Sequence, residues 1–259
     1  MQYQRILLIQ CYITRKNRFI DIQLWFNSIL SSNEYILFMK YHIKNLGIKL
    51  KSLDKLILKA LYINNLDPSK SFFHYLQEKY QLEKSFFESR ITRLIELGLI
   101  GKTNSEQYKL NLLGRETMKV VLVGGVFDIL HPGHIFTLKA ARMLGDVLIV
   151  IIATQSTATK IKKNRVIFHN ENLRREMVSS LNFVDLALIG KEGTLFDTVE
   201  HVKPDIIALG YDQSHTEKFI SENCKKRNIN VRILRLNTPI PNMKSSELKR
   251  DLGDLFYQI

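Results

Sequence analysis

The chain has 259 residues, 45% of them hydrophobic, and carries 38 Lys and Arg against 25 Asp and Glu for a formal net charge of +13. That composition supplies a packed core and excludes general disorder, and the positive balance favours anionic partners without choosing among nucleotides, nucleic acid and acidic surfaces. Cys11 and Cys224 stand too far apart in sequence to suggest a disulfide framework or a zinc-ligand spacing. No apolar run reaches the ~18 residues of a membrane helix, and the amino end shows no clean signal-peptide cleavage pattern. The expectation is a cytoplasmic protein with no membrane partner.

Residues 1–50 carry no pattern to which a function attaches. Beyond them, Leu53, Leu56, Ile57, Ala60 and Leu61 fall on one apolar helix face, and Asp67-Pro68-Ser69 ends that helix. FFHYLQEKY forms a second, short helix. EKSFFESRITRLIELGLI forms a third, with Phe87, Ile91 and Leu94 inward, Lys84, Ser89 and Arg93 outward, and Gly98 at the C-terminal cap. LIGKTNSEQYKLNLLGRETM then reads as strand, polar turn, strand and short helix. Three helices followed by a hairpin describe a winged helix-turn-helix over residues 51–117, and ELGLIGKTNSEQYKLNLLGRE resembles the wing of that superfamily. The resemblance implies DNA binding, with the third helix in the major groove and Lys84, Arg90, Arg93 and Lys102 on phosphates. A module used for packing or dimerisation, its charges merely solvated, stays open beside it, because the helix order does not specify a ligand.

Near residue 118 the character changes. KVVLVGG, DVLIVIIAT, VDLALIG, DIIALG and NVRILRL are short β-branched runs separated by helical stretches, which predicts parallel βαβ units. Their continuous apolar character fits strands covered on both faces. The expected architecture is α/β, a Rossmann-like parallel sheet over residues 118–259 behind the mainly helical first domain. Positive charge is shared: Lys and Arg exceed Asp and Glu by 8 in residues 1–117 and by 5 in residues 118–259.

The segment GGVFDILHPGH, residues 124–134, sits between the first of these strands and the helix HPGHIFTLKAARML, for which Ile135, Leu138 and Ala141 with Met143 supply an apolar face. Pro132 suits a first helical turn. The helix N-terminus offers N–H groups and a positive dipole end to an anion, and Gly125 lets backbone approach a phosphate closely. His131 and His134, about one turn apart, can both face one phosphoryl group. Such donors stabilise the charge that develops when a phosphate attacks a triphosphate in line. Two structurally satisfied histidines at a helix start are the plain alternative.

GGVFDILHPGH resembles the G-x-F-D-x-x-H-x-G-H signature of the cytidylyltransferase-like nucleotidyltransferases. The resemblance runs to about residue 252 through KIKKNRVIFHNENLRREMVSSLNFVDLALIG, PDIIALGYDQ and MKSSELKR, and is strongest to archaeal FAD synthases, which join AMP from ATP to FMN and release pyrophosphate. It implies catalytic roles for His131, His134, Lys160 and Arg174. It implies nucleotide binding by Gly125, Val126, Phe127, Asp128, His131, His134, Gly210, Asp212, Gln213, Ser245 and Ser246, with Mg2+ arriving on the triphosphate. Arg165 is an alternative to Lys160, which a solvated loop would also explain, and Asp212 could instead cap the next helix. A homodimer is a common family arrangement. Gly-Gly-Val stands where Gly-Thr is common, and Lys244 precedes the serines where Ile is usual, so the acceptor stays open. The alternatives are a CTP-dependent enzyme acting on glycerol 3-phosphate or a similar phosphomonoester, and a DNA-binding regulator whose C-terminal domain senses a nucleotide.

Overall fold

A computed structural model describes residues 50–69, 71–81, 83–103, 107–161, 167–191, 194–211, 213 and 216–237. Residues 1–49, together with Arg165, Asp212, Ser245 and Ser246, lie outside the described residues. The chain divides into two compact units between Thr117 and Met118.

In the first unit, α1 (Ser52–Leu66), α2 (Phe72–Tyr80) and α3 (Ser85–Glu96) precede a hairpin of β1 (Ile100–Lys102) and β2 (Tyr108–Leu110), and α4 (Leu112–Glu116) follows. The hydrophobic face expected of α1 is too narrow. Ile57, Leu58, Ala60 and Ile63 are all fully buried, because α2, α3, β2 and α4 pack around the helix, while Leu53 and Leu56 stay half-buried. In α3, Phe87, Ile91 and Leu94 are buried, and Lys84 and Arg93 are exposed. Gly98 takes φ 69° and ends α3 by a Schellman arrangement. Its N–H donates to Ile95 O at 2.8 Å, and Leu99 N–H donates to Leu94 O at 2.9 Å.

Arg90 departs from its expected place on DNA phosphate. Its Nε and Nη2 donate to Asp54 Oδ1 and Oδ2 at 2.8 and 2.5 Å, with the two side chains only 16% and 3% exposed. A buried carboxylate needs a paired cation, so this guanidinium is spent joining α3 to α1. Lys84 sits at the start of α3 with Nζ 5.3 Å from the Phe73 ring centroid, and Lys102 is exposed on β1.

The second unit runs β3 (Val120–Gly125), α5 (Pro132–Arg142), β4 (Val147–Ile152), α6 (Gln155–Ile161), α7 (Glu171–Ser179), β5 (Leu186–Ile189), α8 (Leu195–Val202), β6 (Ile206–Leu209), α9 (Glu217–Lys226) and β7 (Arg232–Arg235). Among the described residues the strands form one parallel sheet in the order β5-β4-β3-β6-β7, and the Rossmann-like arrangement stands. Every residue of β4 is buried, as a central strand covered on both faces requires. Val121, Val123, Leu148, Val150, Ala187 and Ala208 pack with Leu138 and Ala141 of α5 and Val178 of α7. Met143 does not extend the apolar face of α5: the helix ends at Arg142, and Met143 is 85% exposed.

Carboxylates pin the entry ends of the strands. Asp205 Oδ2 accepts Val120 N–H at 2.7 Å and Asp185 Oδ2 accepts Leu148 N–H at 2.8 Å. The opposite ends are left for function. From β3 the chain winds one way through β4 and β5, then crosses to β6 on the other side of β3. The switch point therefore lies between the C-terminal ends of β3 and β6, where open α/β sheets hold ligands.

Candidate functional site

At the C-terminal end of β3 the chain leaves through Gly124 and Gly125, turns over Val126–Leu130 and enters α5 at Pro132, with His131 as N-cap. The turn is shaped by Phe127, which takes φ 50° and is buried. A Cβ on Gly125 would lie 2.6 Å from the Phe127 ring, so the missing side chain here makes room for an aromatic ring as well as for a ligand. A Cβ on Gly124 would meet nothing within 4 Å among the described residues.

The rings stand in a row. Phe127 meets His134 edge-on at 5.2 Å, and His134 lies 3.9 Å from His131 with 31° between the ring planes. Pro132 occupies the first helical position, where its lacking N–H costs nothing. His134 N–H donates to His131 O at 2.9 Å. Both imidazoles thus stand at a helix N-terminus beside the switch point, where anions are favoured. A shallow hollow of about 600 Å³ opens beside His131, lined by Leu130, Pro132, Ile135, Phe136 and Lys139.

Asp128 is buried, and its carboxylate binds backbone. Oδ2 accepts Phe168 N–H at 3.1 Å and Oδ1 accepts His169 N–H at 2.9 Å. His169 Nδ1 lies 2.9 Å from Asp128 O and 3.3 Å from its Oδ1. Asp128 therefore ties the histidine turn to the entry of α7.

Arg174 was expected at the triphosphate, and its position is different. The side chain is fully buried. Nε donates to His169 O at 2.9 Å, and Nη1 donates to Val126 O and Ala153 O at 2.8 and 2.9 Å. Nη2 reaches Gln155 Oε1 at 3.4 Å. Burial lowers its pKa, and the charges of Asp128 and Glu171 oppose that fall. Its Nε and Nη1 donors go to carbonyls after β3 and β4 and at the entry of α7, so the guanidinium ties these three segments together. Lys160 is exposed in the last turn of α6.

Past β6, Gly210 O and Gln213 O both accept from Arg235 Nη1, at 2.8 and 3.1 Å. Gln213 Nε2 donates to Gly124 O at 2.5 Å, so its side-chain amide spans the switch point. Val126 is half-buried, with its carbonyl on Arg174. The structure thus brings Gly125, Val126, Phe127, Asp128, His131, His134, Gly210 and Gln213 around the ends of β3 and β6, with Arg174 behind them. His169, Glu217 and Arg235, which the sequence did not single out, take part in these contacts. The one available signal for Arg235 was a charge inside the otherwise apolar run ILRL.

No group of three or more His, Cys, Asp or Glu side chains that could hold a metal ion occurs among the described residues. Nor is any helix among them long and apolar enough to cross a membrane.

Residues 122–251 match the cytidylyltransferase-like family model. An FAD synthase of Aciduliprofundum boonei is 51% identical over 116 residues, 45% of this chain and 76% of that protein. An FAD synthase of Picrophilus torridus is 47% identical over 137 residues, 52% of this chain and 97% of that protein. A solved structure, described as the lipopolysaccharide core biosynthesis protein from Thermoplasma volcanium, aligns with TM-score 0.45 and 44% identity over 47% of this chain and 98% of its own.

Proposed function

This chain belongs to the cytidylyltransferase-like family, and we propose that it is an FAD synthase, transferring AMP from ATP to FMN. The acceptor reading rests on the similarity to archaeal FAD synthases. The chemistry rests on one observation, the stacked His131–His134 pair at the N-terminus of α5 beside the switch point.

An oxygen of the FMN phosphate attacks the α-phosphorus of ATP. A new P–O bond forms as the bond from that phosphorus to the α,β-bridging oxygen breaks, and pyrophosphate leaves with the electron pair. No proton transfer or covalent enzyme intermediate is needed. His131 and His134 donate to phosphate oxygens as charge builds on them, assisted by the end of α5. Gln213 and the Gly210 loop form the nucleoside side of the crevice, and Ser245, Ser246 and Lys160 are further phosphate contacts carried by the resemblance. Mg2+ enters as part of the substrate MgATP. The carboxylate of Asp128 accepts two backbone N–H groups before α7 and so holds the histidine turn in place.

For residues 51–117 we carry the winged helix-turn-helix reading, with the exposed Lys84, Arg93 and Lys102 as the phosphate-facing charges. The enzyme is placed in the cytoplasm, where ATP and FMN are available to it.

The test is turnover. Purified protein with FMN, Mg2+ and ATP should yield FAD and pyrophosphate. FAD absent with ATP while a cytidylated product appears with CTP and glycerol 3-phosphate would overturn this reading.

A further inference from the structure

We infer that Arg235, fixed by Glu217, is a positioning residue for nucleotide binding: it holds the Gly210–Gln213 loop, and through Gln213 the end of β3, in the shape that receives the nucleoside triphosphate. The inference rests on reading the switch-point crevice as the ATP site.

β7 is an edge strand of the described sheet, and a charged side chain on an edge ordinarily points to water. Arg235 does not: its side chain is 26% exposed, and its donors are directed. Nε and Nη2 meet Oε1 and Oε2 of Glu217 at 2.8 and 3.1 Å. This two-point fork sets the plane of the guanidinium. Glu217 itself stands in the first turn of α9, whose N-cap Thr216 accepts Phe219 N–H. Hydrogen bonding to Arg235 is the largest cause holding the Glu217 carboxyl below its usual range, which favours the charged carboxylate that the fork requires.

With that plane fixed, Nη1 donates at once to Gly210 O and Gln213 O. The carbonyls of Gly210 and Gln213 are thereby drawn to a single nitrogen, which fixes the distance between them. Gln213 passes the constraint on, because its side-chain amide donates to Gly124 O across the switch point. Gly124 lies at the end of β3, where an added Cβ would meet none of the described residues within 4 Å, one residue before the glycine that receives the Phe127 ring. The series Glu217, Arg235, Gln213, Gly124 therefore links the edge of the sheet to the mouth of the crevice without supplying a group for the chemical step. A residue of this kind governs how well the triphosphate is bound more than how fast the bound complex reacts.

The experiment uses the full chain and measures ATP binding by calorimetry without FMN, KM for ATP and kcat in FAD formation, and Tm. Arg235→Gln should weaken ATP binding and raise KM for ATP about tenfold, with kcat changed less than about threefold. Arg235→Lys should restore part of the affinity, since an ammonium can still donate to one carbonyl but cannot form the fork. An Arg235→Gln variant that lowers Tm yet binds ATP with the wild-type Kd well below that Tm overturns the inference and leaves Arg235 a structural clamp. Should Arg235→Gln fail to fold, Glu217→Gln reads the same relation: a Kd for ATP raised about threefold supports it, and an unchanged Kd overturns it. Because binding is measured without the acceptor, wild-type protein that binds ATP but forms no FAD removes the FMN assignment alone.

Discussion

The imidazole rings of His131 and His134 lie 3.9 Å apart, centroid to centroid, with 31° between their planes. Two imidazoles this close, both at the start of α5, are near enough for one phosphoryl group to lie within reach of both. His131 makes no side-chain capping bond to α5, so its truncation removes no cap. His131→Ala and His134→Ala should each lower kcat for pyrophosphate release on the order of 10²–10³-fold, the effect of losing one preorganised donor to a developing charge. The double variant should lose less than the product of the two, because groups that act as a unit are not additive. Single-turnover kinetics with Tm on the same samples checks both points.

Gly124 and Gly125 are neighbours with opposite surroundings. A methyl group at Gly125 would strike the Phe127 ring at 2.6 Å, whereas one at Gly124 meets nothing within 4 Å among the described residues. Gly125→Ala should displace Phe127, and with it the ring row to His134, costing about 1–3 kcal/mol of stability from overpacking as well as activity. Gly124→Ala should leave Tm near wild type and weaken ATP binding, because the methyl group fills space that a ligand at the switch point needs. Thermal melts with and without ATP separate the two effects. Equal melts and equal ATP shifts for both variants would contradict this account.

Arg174 joins three carbonyls from different segments, Val126, Ala153 and His169. Arg174→Met keeps much of the buried volume and removes every donor. Each stranded acceptor costs about 1–3 kcal/mol where no water reaches it, so a loss on the order of 3 kcal/mol is expected. Activity should fall as the histidine turn loosens, but what remains should need more of both substrates. A variant that keeps its Tm while losing only kcat would return Arg174 to the reacting phosphate.

What the sequence made legible follows the range of the interactions. The strands of the second unit were visible as apolar runs, and the histidine pair as a local pattern, because both are set within a few residues. Gly98 was legible as a cap for the same reason. Arg174 could be located from LRREMV but its burial and partners could not, because its donors reach carbonyls as far away as Val126, 48 residues earlier. The same holds for Arg235, whose partners Gly210 and Gln213 lie 25 and 22 residues away. Met143 failed for a local reason, since the helix stops one residue before it. Periodicity marks the face of a helix and not its end.

Arg90 shows the same limit in the first unit and gives the last prediction. Its partner Asp54 lies 36 residues earlier on a helix whose periodicity marks only the apolar face. Arg90→Met takes the cation from a buried carboxylate that keeps the Lys51 N–H at 2.8 Å, and should destabilise the first unit by about 3 kcal/mol, whereas Arg90→Met with Asp54→Leu should recover part of that, as paired apolar replacements of buried ion pairs do, less the lost capping bond. The chain has two compact units, so one global melting curve is a poor measure of this. Hydrogen exchange of the α1 amides reads the local loss directly. The double variant also separates stability from DNA binding. If the first unit binds DNA, Arg93→Ala should weaken it and reduce the salt dependence by about one phosphate contact. The Arg90/Asp54 double variant should do neither, because this guanidinium faces α1. Loss of DNA affinity in a double variant whose α1 exchange is normal would return Arg90 to the phosphate backbone.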